Sequence, residues 1–487
     1  MKFTQHYFNL GYTLQKQSNL KQDVTLQPHQ KSVLSNLSKE EIKGLLLFHG
    51  LGSGKTLSAI ASTSDGPTDF VVPASLRENA RKEFKKFTNK NQANVRSYED
   101  FRKKGPSRKY KNLVLDEAHR ISNPEAMSSK ALINNAHKYN KKVLLSGSPI
   151  KNHPYDLAPL LGVIDPSQKL MSKDTFHSKF IGTKKVNPGF WGWLKGVKPG
   201  EEEYIKNVPQ FKQLWEGKVD YHAGTTTDFP DVTEKDVTVE MSPNQKKIYN
   251  KALEGIPYSV RAKMEQGIPL SRSEKAHINH FFNASRQISN SIKSFGEAES
   301  TPKVDKMVKD IKKTLNSNKN AKTVTYSNYL DSGVNEIANE LEKNKIPYGV
   351  FSGSLTDKKR KALVDDYNNG KIKSLLVSGA GSEGLDLKGT RLMQIMEPHW
   401  NEARTDQMKG RAIRYKSHSH LPKKDQHVEV RNYMSVLPKE TGFFSSILGS
   451  EPDKSTDEYM RDLGKKKTEL NSQFLNILKE LGSKGKE

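Results

Sequence analysis

The stretch Leu45 to Ile60, LLLFHGLGSGKTLSAI, constrains this chain more than any other, because it sets a strand, a turn and a helix in one order. Leu45 to Phe48 is short and wholly apolar, as a strand buried on both faces must be. Gly50, Gly52 and Gly54 let backbone N–H groups converge on an anion, and a helix starting near Lys55 adds its positive N-terminal end. The stretch reads as a phosphate cradle, with Ser53 inside the loop. The Lys55 ammonium is placed to meet the β- and γ-phosphates of a nucleoside triphosphate, and the Thr56 hydroxyl to ligate Mg²⁺. The strict pattern G-x-x-x-x-G-K-[ST] asks for glycine at position 49, where this chain has His49. An ordinary glycine-rich turn with a surface lysine would share the glycines. The full order of strand, turn, Gly-Lys-Thr and helix favours the cradle.

A chain of 487 residues is long enough for two or three domains. It carries 80 Lys and Arg against 55 Asp and Glu, a net charge of +25, which favours a polyanionic partner, nucleic acid ahead of an acidic membrane. Basic runs such as Arg81 to Lys90, Lys303 to Lys322 and Lys465 to Lys467 spread that charge over both halves. There is no cysteine, which excludes disulfides, thiolate zinc sites and cysteine nucleophiles together. No apolar run approaches the ~18 residues that span a bilayer, and Met1 to Gln17 lacks the apolar centre of a signal peptide. The expectation is a soluble intracellular protein.

Residues 1–25 read as an N-terminal arm. Leu26 to Leu37 has helical spacing, with Pro28 near the helix start and Gln30 where an amide could read adenine. Apolar strands then alternate with polar helices: Phe70 to Val72 before Ser75 to Phe87, Asn112 to Leu115 before Asp116, and Val143 to Leu145 before Ser146 to Asn152. Such alternation specifies a parallel sheet covered on both faces, with functional loops at the C-terminal strand ends. The first domain is expected over 26–224, with an aromatic insert at about 168–222 that holds Trp191, Trp193 and Trp215. A linker follows at 225–235. A second parallel-sheet domain is expected over 236–440, with a strand at Asp236 to Met241, a helical insert at about 243–293 and further strands at Thr323 to Tyr326, Gly349 to Ser352, Ser374 to Val377, Leu392 to Met396 and Val428 to Tyr433. Residues 441–487 read as a basic helical tail. The fold class is therefore α/β.

Hydrolysis of a triphosphate needs a metal-binding carboxylate and a group that orients water at a strand end beside the cradle. LVLDEAH, Leu113 to His119, supplies both: Asp116 for Mg²⁺ and Glu117 as general base, with His119 linking the nucleotide to the rest of the domain. An Asp-Glu pair capping a helix start is common, but here an apolar strand precedes it and a cradle lies upstream. LLSGSPIKN, Leu144 to Asn152, puts Ser146 and Ser148 at another strand end, where they could relay nucleotide state or simply cap a turn. In the second half, LLVSGAGSEGLDLKG brings a strand into Gly379, Gly381 and Gly384, then Asp386. WNEARTDQMKGRAIRY places Gln407, Arg411 and Arg414 at helical spacing, so that the two arginines could clamp a γ-phosphate.

Gln30, Gly-Lys-Thr, DEAH, SGSP, SEGLD and QxxxRxxR stand in an order that resembles superfamily 2 helicase and translocase motors, over roughly Leu26 to Tyr433. MSPNQKKIYNKAL, SRQISN, EPHWNEARTDQMKGRAIR and STDEYMRDLGKKK resemble chromatin-remodelling-type translocases, in particular the viral branch with poxvirus nucleoside triphosphatase I and the small early-transcription-factor subunit. HGLGSGKT is similar to the cradle of that branch. The resemblance implies two tandem RecA-like domains and an ATPase, with ATP and Mg²⁺ as cofactors, that moves along or remodels DNA in viral transcription or replication. It also implies RNA as a possible track, RNA polymerase as a partner, and a place in the host cytoplasm or nucleus or in a virion. Gly384 and Asp386 then join the nucleotide-binding set, and Gln407, Arg411 and Arg414 the catalytic one. Remodelling enzymes usually carry a paired arginine before the second domain, where this chain reads KVDYH at Lys218 to His222.

Overall fold

The computed structural model describes residues 19–484 apart from 51, 90–91, 107–108, 169, 190–192, 194–195, 225–226, 298, 380–384, 400–401 and 439–452. The chain divides into two compact units: Met1–Gly182, Tyr204–Thr225 and Glu469–Glu487 form the first, Thr183–Glu203 and Thr226–Thr468 the second. Among the described residues no helix is long and apolar enough to cross a membrane.

The apolar runs of the first unit become β1 (Gly44–His49), β2 (Thr68–Val72), β4 (Asn112–Leu115) and β5 (Lys141–Ser146), with β3 (Ala93–Ser97) between β2 and β4 in the chain. After β6 (Ile181–Val186) and β7 (Gly200–Ile205), which make a separate two-stranded sheet, β8 (Val219–His222) completes a six-stranded sheet in the order β3-β2-β4-β5-β1-β8. Its neighbours are all parallel. The pleat sorts β1 between two cores: Leu45 and Leu47 pack with Phe70, Val72 and Val143, whereas Leu46 and Phe48 pack with Leu113, Leu115 and Leu144. Each such buried side chain contributes ~1.5–3 kcal/mol of transfer free energy.

Two strands of this sheet have no apolar signature. β3, ANVRS, lies at one edge, and β8, VDYH, lies at the other, within the stretch expected to be an insert. Edge strands are covered less, so they need no hydrophobic run. Ser146 to Asn152 is not the expected helix: the chain bends there and resumes as a helix at Leu157–Ile164. Pro149 and Pro154 remove the N–H groups that a continuous helix would require. From Glu469 the last helix, Thr456–Ser483, belongs to this unit. Leu470, Phe474, Leu478 and Leu481 enter the core with Leu46, and the Phe474 ring lies edge-on to Phe211 at 5.0 Å. One face of the basic tail is thus core.

The second unit repeats the plan with β9 (Asp231–Glu240), β10 (Lys322–Ser327), β11 (Tyr348–Phe351), β12 (Ser374–Ser378), β13 (Thr390–Ile395) and β14 (His427–Val436). The order is β11-β12-β10-β13-β14-β9, again parallel throughout. β9 begins at Asp231, inside the stretch read as a linker, and its polar, largely exposed residues mark another edge strand. The helices Pro243–Leu253, Tyr258–Glu265 and Arg272–Asn290 fill the expected helical insert. Their core includes Tyr249, Leu253, Ile288 and, from the last helix, Tyr459.

Candidate active site

The cradle grows out of β1 for reasons that can be read atom by atom. At Gly50 an added Cβ would lie 2.0 Å from the Ala223 carbonyl oxygen, so only glycine lets the loop pass the end of β8. Gly52 and Gly54 take left-handed backbone, φ 74° and 71°, and Gly54 opens the helix Lys55–Ser62. Ser53 is buried and its Oγ donates to the Gly50 carbonyl at 2.8 Å. Thr56 is half-buried in the first helical turn. The Lys55 Nζ donates to the carbonyls of His49 (2.9 Å) and Gly50 (3.2 Å). Burial lowers its pKa, against the opposing pull of Glu117 and Asp116. Gln30 is buried; its Oε1 accepts from Gln27 N at 2.9 Å, and its Nε2 reaches the Gly54 and Ser53 carbonyls at 3.4 and 3.5 Å. The amide assigned from sequence to adenine is engaged with the cradle's own backbone.

Asp116 and Glu117 follow β4 at its C-terminal end. Burial pushes the Asp116 carboxyl up to about 6, with the neighbouring Glu117 charge adding to the rise. Glu117 sits at φ 52°, a left-handed conformation that costs a non-glycine residue roughly 1–3 kcal/mol and tends to accumulate at functional positions. Tyr98, which sequence reasoning did not single out, braces this turn by donating to the Asp116 carbonyl at 2.7 Å. His119 Nδ1 lies 3.3 Å from Ser146 Oγ and 3.4 Å from a Glu117 carboxylate oxygen. Burial lowers the His119 pKa, which favours the neutral ring at neutral pH. Ser146 Oγ in turn accepts from Ser148 N at 3.1 Å, while Ser148 itself is exposed. Four of the expected residues, Glu117, His119, Ser146 and Ser148, therefore form one connected line.

In the second unit Arg414 Nη1 pairs with Asp386 at 3.3 Å, and the Arg411 carbonyl accepts from Leu387 N at 3.3 Å. The helix Glu402–Ala412 ends before Arg414, so the two arginines do not share a helical face as their spacing suggests. In the turn that follows, Ser417 Oγ accepts from Arg414 N at 3.3 Å and donates to His418 Nδ1 at 2.8 Å, since His418 Nε2 donates to the Thr390 carbonyl. Gln407 is exposed on that helix. Gly384 and Trp191 lie outside the described residues.

A glycine-lined cradle with its lysine, and two adjoining carboxylates at a strand end of the same parallel sheet, define a nucleoside-triphosphate-hydrolysing enzyme. The SNF2-related domain family matches residues 68–294, and the helicase conserved C-terminal domain family matches residues 305–416. A protein of Acanthamoeba polyphaga mimivirus that carries the name ATP-dependent RNA helicase L538 is 30% identical over 478 residues, covering 93% of this chain and 97% of its own. The termination factor NPH-I homolog of African swine fever virus (Kenya isolate) is 25% identical, covering 90% of this chain and 76% of its own. Among solved structures, the Sulfolobus solfataricus SWI2/SNF2 ATPase core in complex with dsDNA aligns with a TM-score of 0.35 at 20% identity, over 93% of this chain and 97% of that one. The chain belongs to the SNF2-related helicase family: it is an ATP-dependent nucleic-acid motor with viral relatives.

His29, Asp220 and His222 also border the cradle and were missed as site residues. The stretch KVDYH contains two of them, but only as a departure from the remodelling pattern.

Proposed function

We propose that this motor uses ATP to move along DNA, displacing or remodelling what is bound there, in the transcription or replication of a virus. The observation that carries the reading is the charge arrangement of the first unit: a half-buried lysine on loop carbonyls, with two adjoining acids, one raised to about 6, at the C-terminal end of β4. A triphosphate and a dication supply the charges that such a set lacks. The donors fit Mg²⁺, a hard cation that prefers oxygen ligands: the Thr56 hydroxyl and the Asp116 carboxylate would hold it, and its charge would favour ionised Asp116. Bound there, Mg²⁺ supplies neutralisation of charge on the phosphate oxygens.

The protein's own groups divide the rest of the work. Cradle N–H groups from Gly50 to Thr56 and the Lys55 ammonium hold the phosphates. Glu117 takes the proton of the attacking water. The neutral His119 ring, touching Glu117 and Ser146, passes a change at the acid to the Ser146–Ser148 turn. Gln30 stiffens the cradle beside the nucleotide. Arg411 and Arg414 steady the charge that spreads in the transition state, with Asp386 aiming Arg414, Gly384 permitting close approach, and Gln407 flanking them. The net charge of +25 supports grip on a phosphate backbone with little sequence preference. One relative is named a termination factor, which supports a role in transcription; RNA polymerase as partner and a place inside the infected cell or in the virion belong to the same proposal.

The deciding measurement is the ATPase rate with no polymer, single-stranded DNA, duplex DNA and RNA, each at two salt concentrations. Duplex DNA should stimulate most, and stimulation should fall steeply with salt. A rate indifferent to every polymer sinks the motor reading. Efficient separation of a plain duplex would move it to a strand-separating helicase.

A further inference from the structure

We infer that His29, His49, Asp220 and His222 form a positioning set that holds the cradle in its phosphate-binding shape. The inference rests on the proposed role of the cradle and deepens it.

His49 stands where the strict pattern has glycine, and its side chain is fully buried with Nε2 2.6 Å from Asp220 Oδ1, equally buried. Two buried ionisable groups are costly unless paired, and an apolar pair would fill the space without that cost. The register of β1 on β8 sets the partners, with Leu47 opposite Asp220 and His49 opposite His222. Ser32 Oγ, on the helix Pro28–Leu37, reaches the other Asp220 oxygen at 3.5 Å.

The same three elements grip the loop at both shoulders. At the first, Gly50 N donates to the His222 carbonyl at 2.8 Å. At the second, His29 Nε2 lies 2.8 Å from the Ser53 carbonyl, where an N–H on that nitrogen donates. Between the shoulders the His29 and His222 rings stack at 3.8 Å and 6°, and His49 stands edge-on to them at 5.8 and 5.9 Å. Holding the His49 ring also fixes its carbonyl, the one that receives Lys55 Nζ at 2.9 Å. Rings, strand end and helix thus set where the loop's N–H groups and the lysine point.

Because these contacts reach loop backbone, they serve bound ATP and its transition state alike. Loss of such uniform binding raises KM and leaves kcat in place. The test uses the full chain with saturating duplex DNA, titrating ATP, alongside equilibrium binding of a fluorophore-labelled ATP. His29→Ala, which loses the bond to Ser53, and His222→Ala, which keeps its backbone bond to Gly50 but loses the ring stacked on His29, should each raise KM and the labelled-ATP Kd about fivefold, with kcat within about twofold. His222→Phe keeps a flat ring against His29 and should stay within about twofold of the parent, and His29→Gln, which keeps a donor, should recover part of the loss. Unchanged KM and Kd in both alanine variants would overturn the inference, as would His222→Phe losing as much as His222→Ala. Lys55→Ala separates the two levels: full turnover in that variant overturns the cradle's role itself, whereas a dead Lys55→Ala beside normal alanine variants overturns only the positioning set.

Discussion

The two parallel sheets carry opposite kinds of polar chemistry at their C-terminal strand ends. After β4, Asp116 and Glu117 stand side by side, with the first pushed up to about 6 and a half-buried Lys55 pulled down. After β13, the buried Glu397 accepts four hydrogen bonds, from Asn290 Nδ2, Ser327 Oγ, and the backbone and side chain of Asn328, at 2.5–3.0 Å. One carboxylate is left with charge that burial disfavours; the other is satisfied from within its own unit. The same architecture therefore gives one end that gains by taking up a charged ligand and another that is already rigid without one.

The comparison breaks most visibly at Glu117. Glu117→Gln should lower ATP turnover about 10²- to 10⁴-fold while labelled-ATP binding holds, and a loss under about tenfold would remove Glu117 from the base role. Arg414→Ala should lower single-turnover hydrolysis about 10³-fold, with the thermal midpoint little changed since the arginine is exposed; retained turnover would leave the Asp386 pair as a surface contact.

Stability sharpens the contrast on a smaller scale. Glu397→Gln keeps the size of the side chain but turns one acceptor into a donor facing donors, and should cost about 2–3 kcal/mol in denaturant unfolding. Asp116→Asn should act with the opposite sign. The folded Asp116 titrates at about 6, above its unfolded value, so the folded state holds that proton more tightly and stability falls as pH rises through this window. The Asn variant, free of nucleotide and Mg²⁺, should therefore be more stable by about 1–2 kcal/mol at pH 8, with the difference vanishing below pH of about 4. A variant less stable at pH 8 would show that Asp116 is satisfied like Glu397.

Legibility in the sequence followed apolarity. β1, β2, β4 and β5, and β10, β12, β13 and β14, announce themselves because strands deep in a parallel sheet must be apolar on both faces, while β11, YGVF, is legible from its own apolar residues although it lies at an edge. β3 and β8 do not, because each lies at a sheet edge and reads as polar chain, and of β9 only the part from Asp236 is legible. The cost of missing β8 was functional, since Asp220 and His222 ride on it. The spacing of Arg411 and Arg414 misled for another reason: a helix pattern says nothing of the turn after Ala412, where the Ser417 hydroxyl accepts from Arg414 N. The position of Gln30 suggests an adenine-reading amide, whereas its contacts with Ser53 and Gly54 depend on a helix packed against the loop.

By itself the sequence determined the glycine turn between β1 and its helix, the paired acids after β4, and two α/β units, because strand, turn and helix are decided by sterics and apolar pattern over a dozen neighbouring residues. Only the tertiary structure decided what those residues touch. His49 and Asp220 are 171 positions apart and meet through the parallel register of β8 on β1, and the left-handed turn at Glu117 persists because Tyr98 braces its carbonyl neighbour. Contacts of that kind arise from how strands pair and helices pack, and no local pattern encodes them.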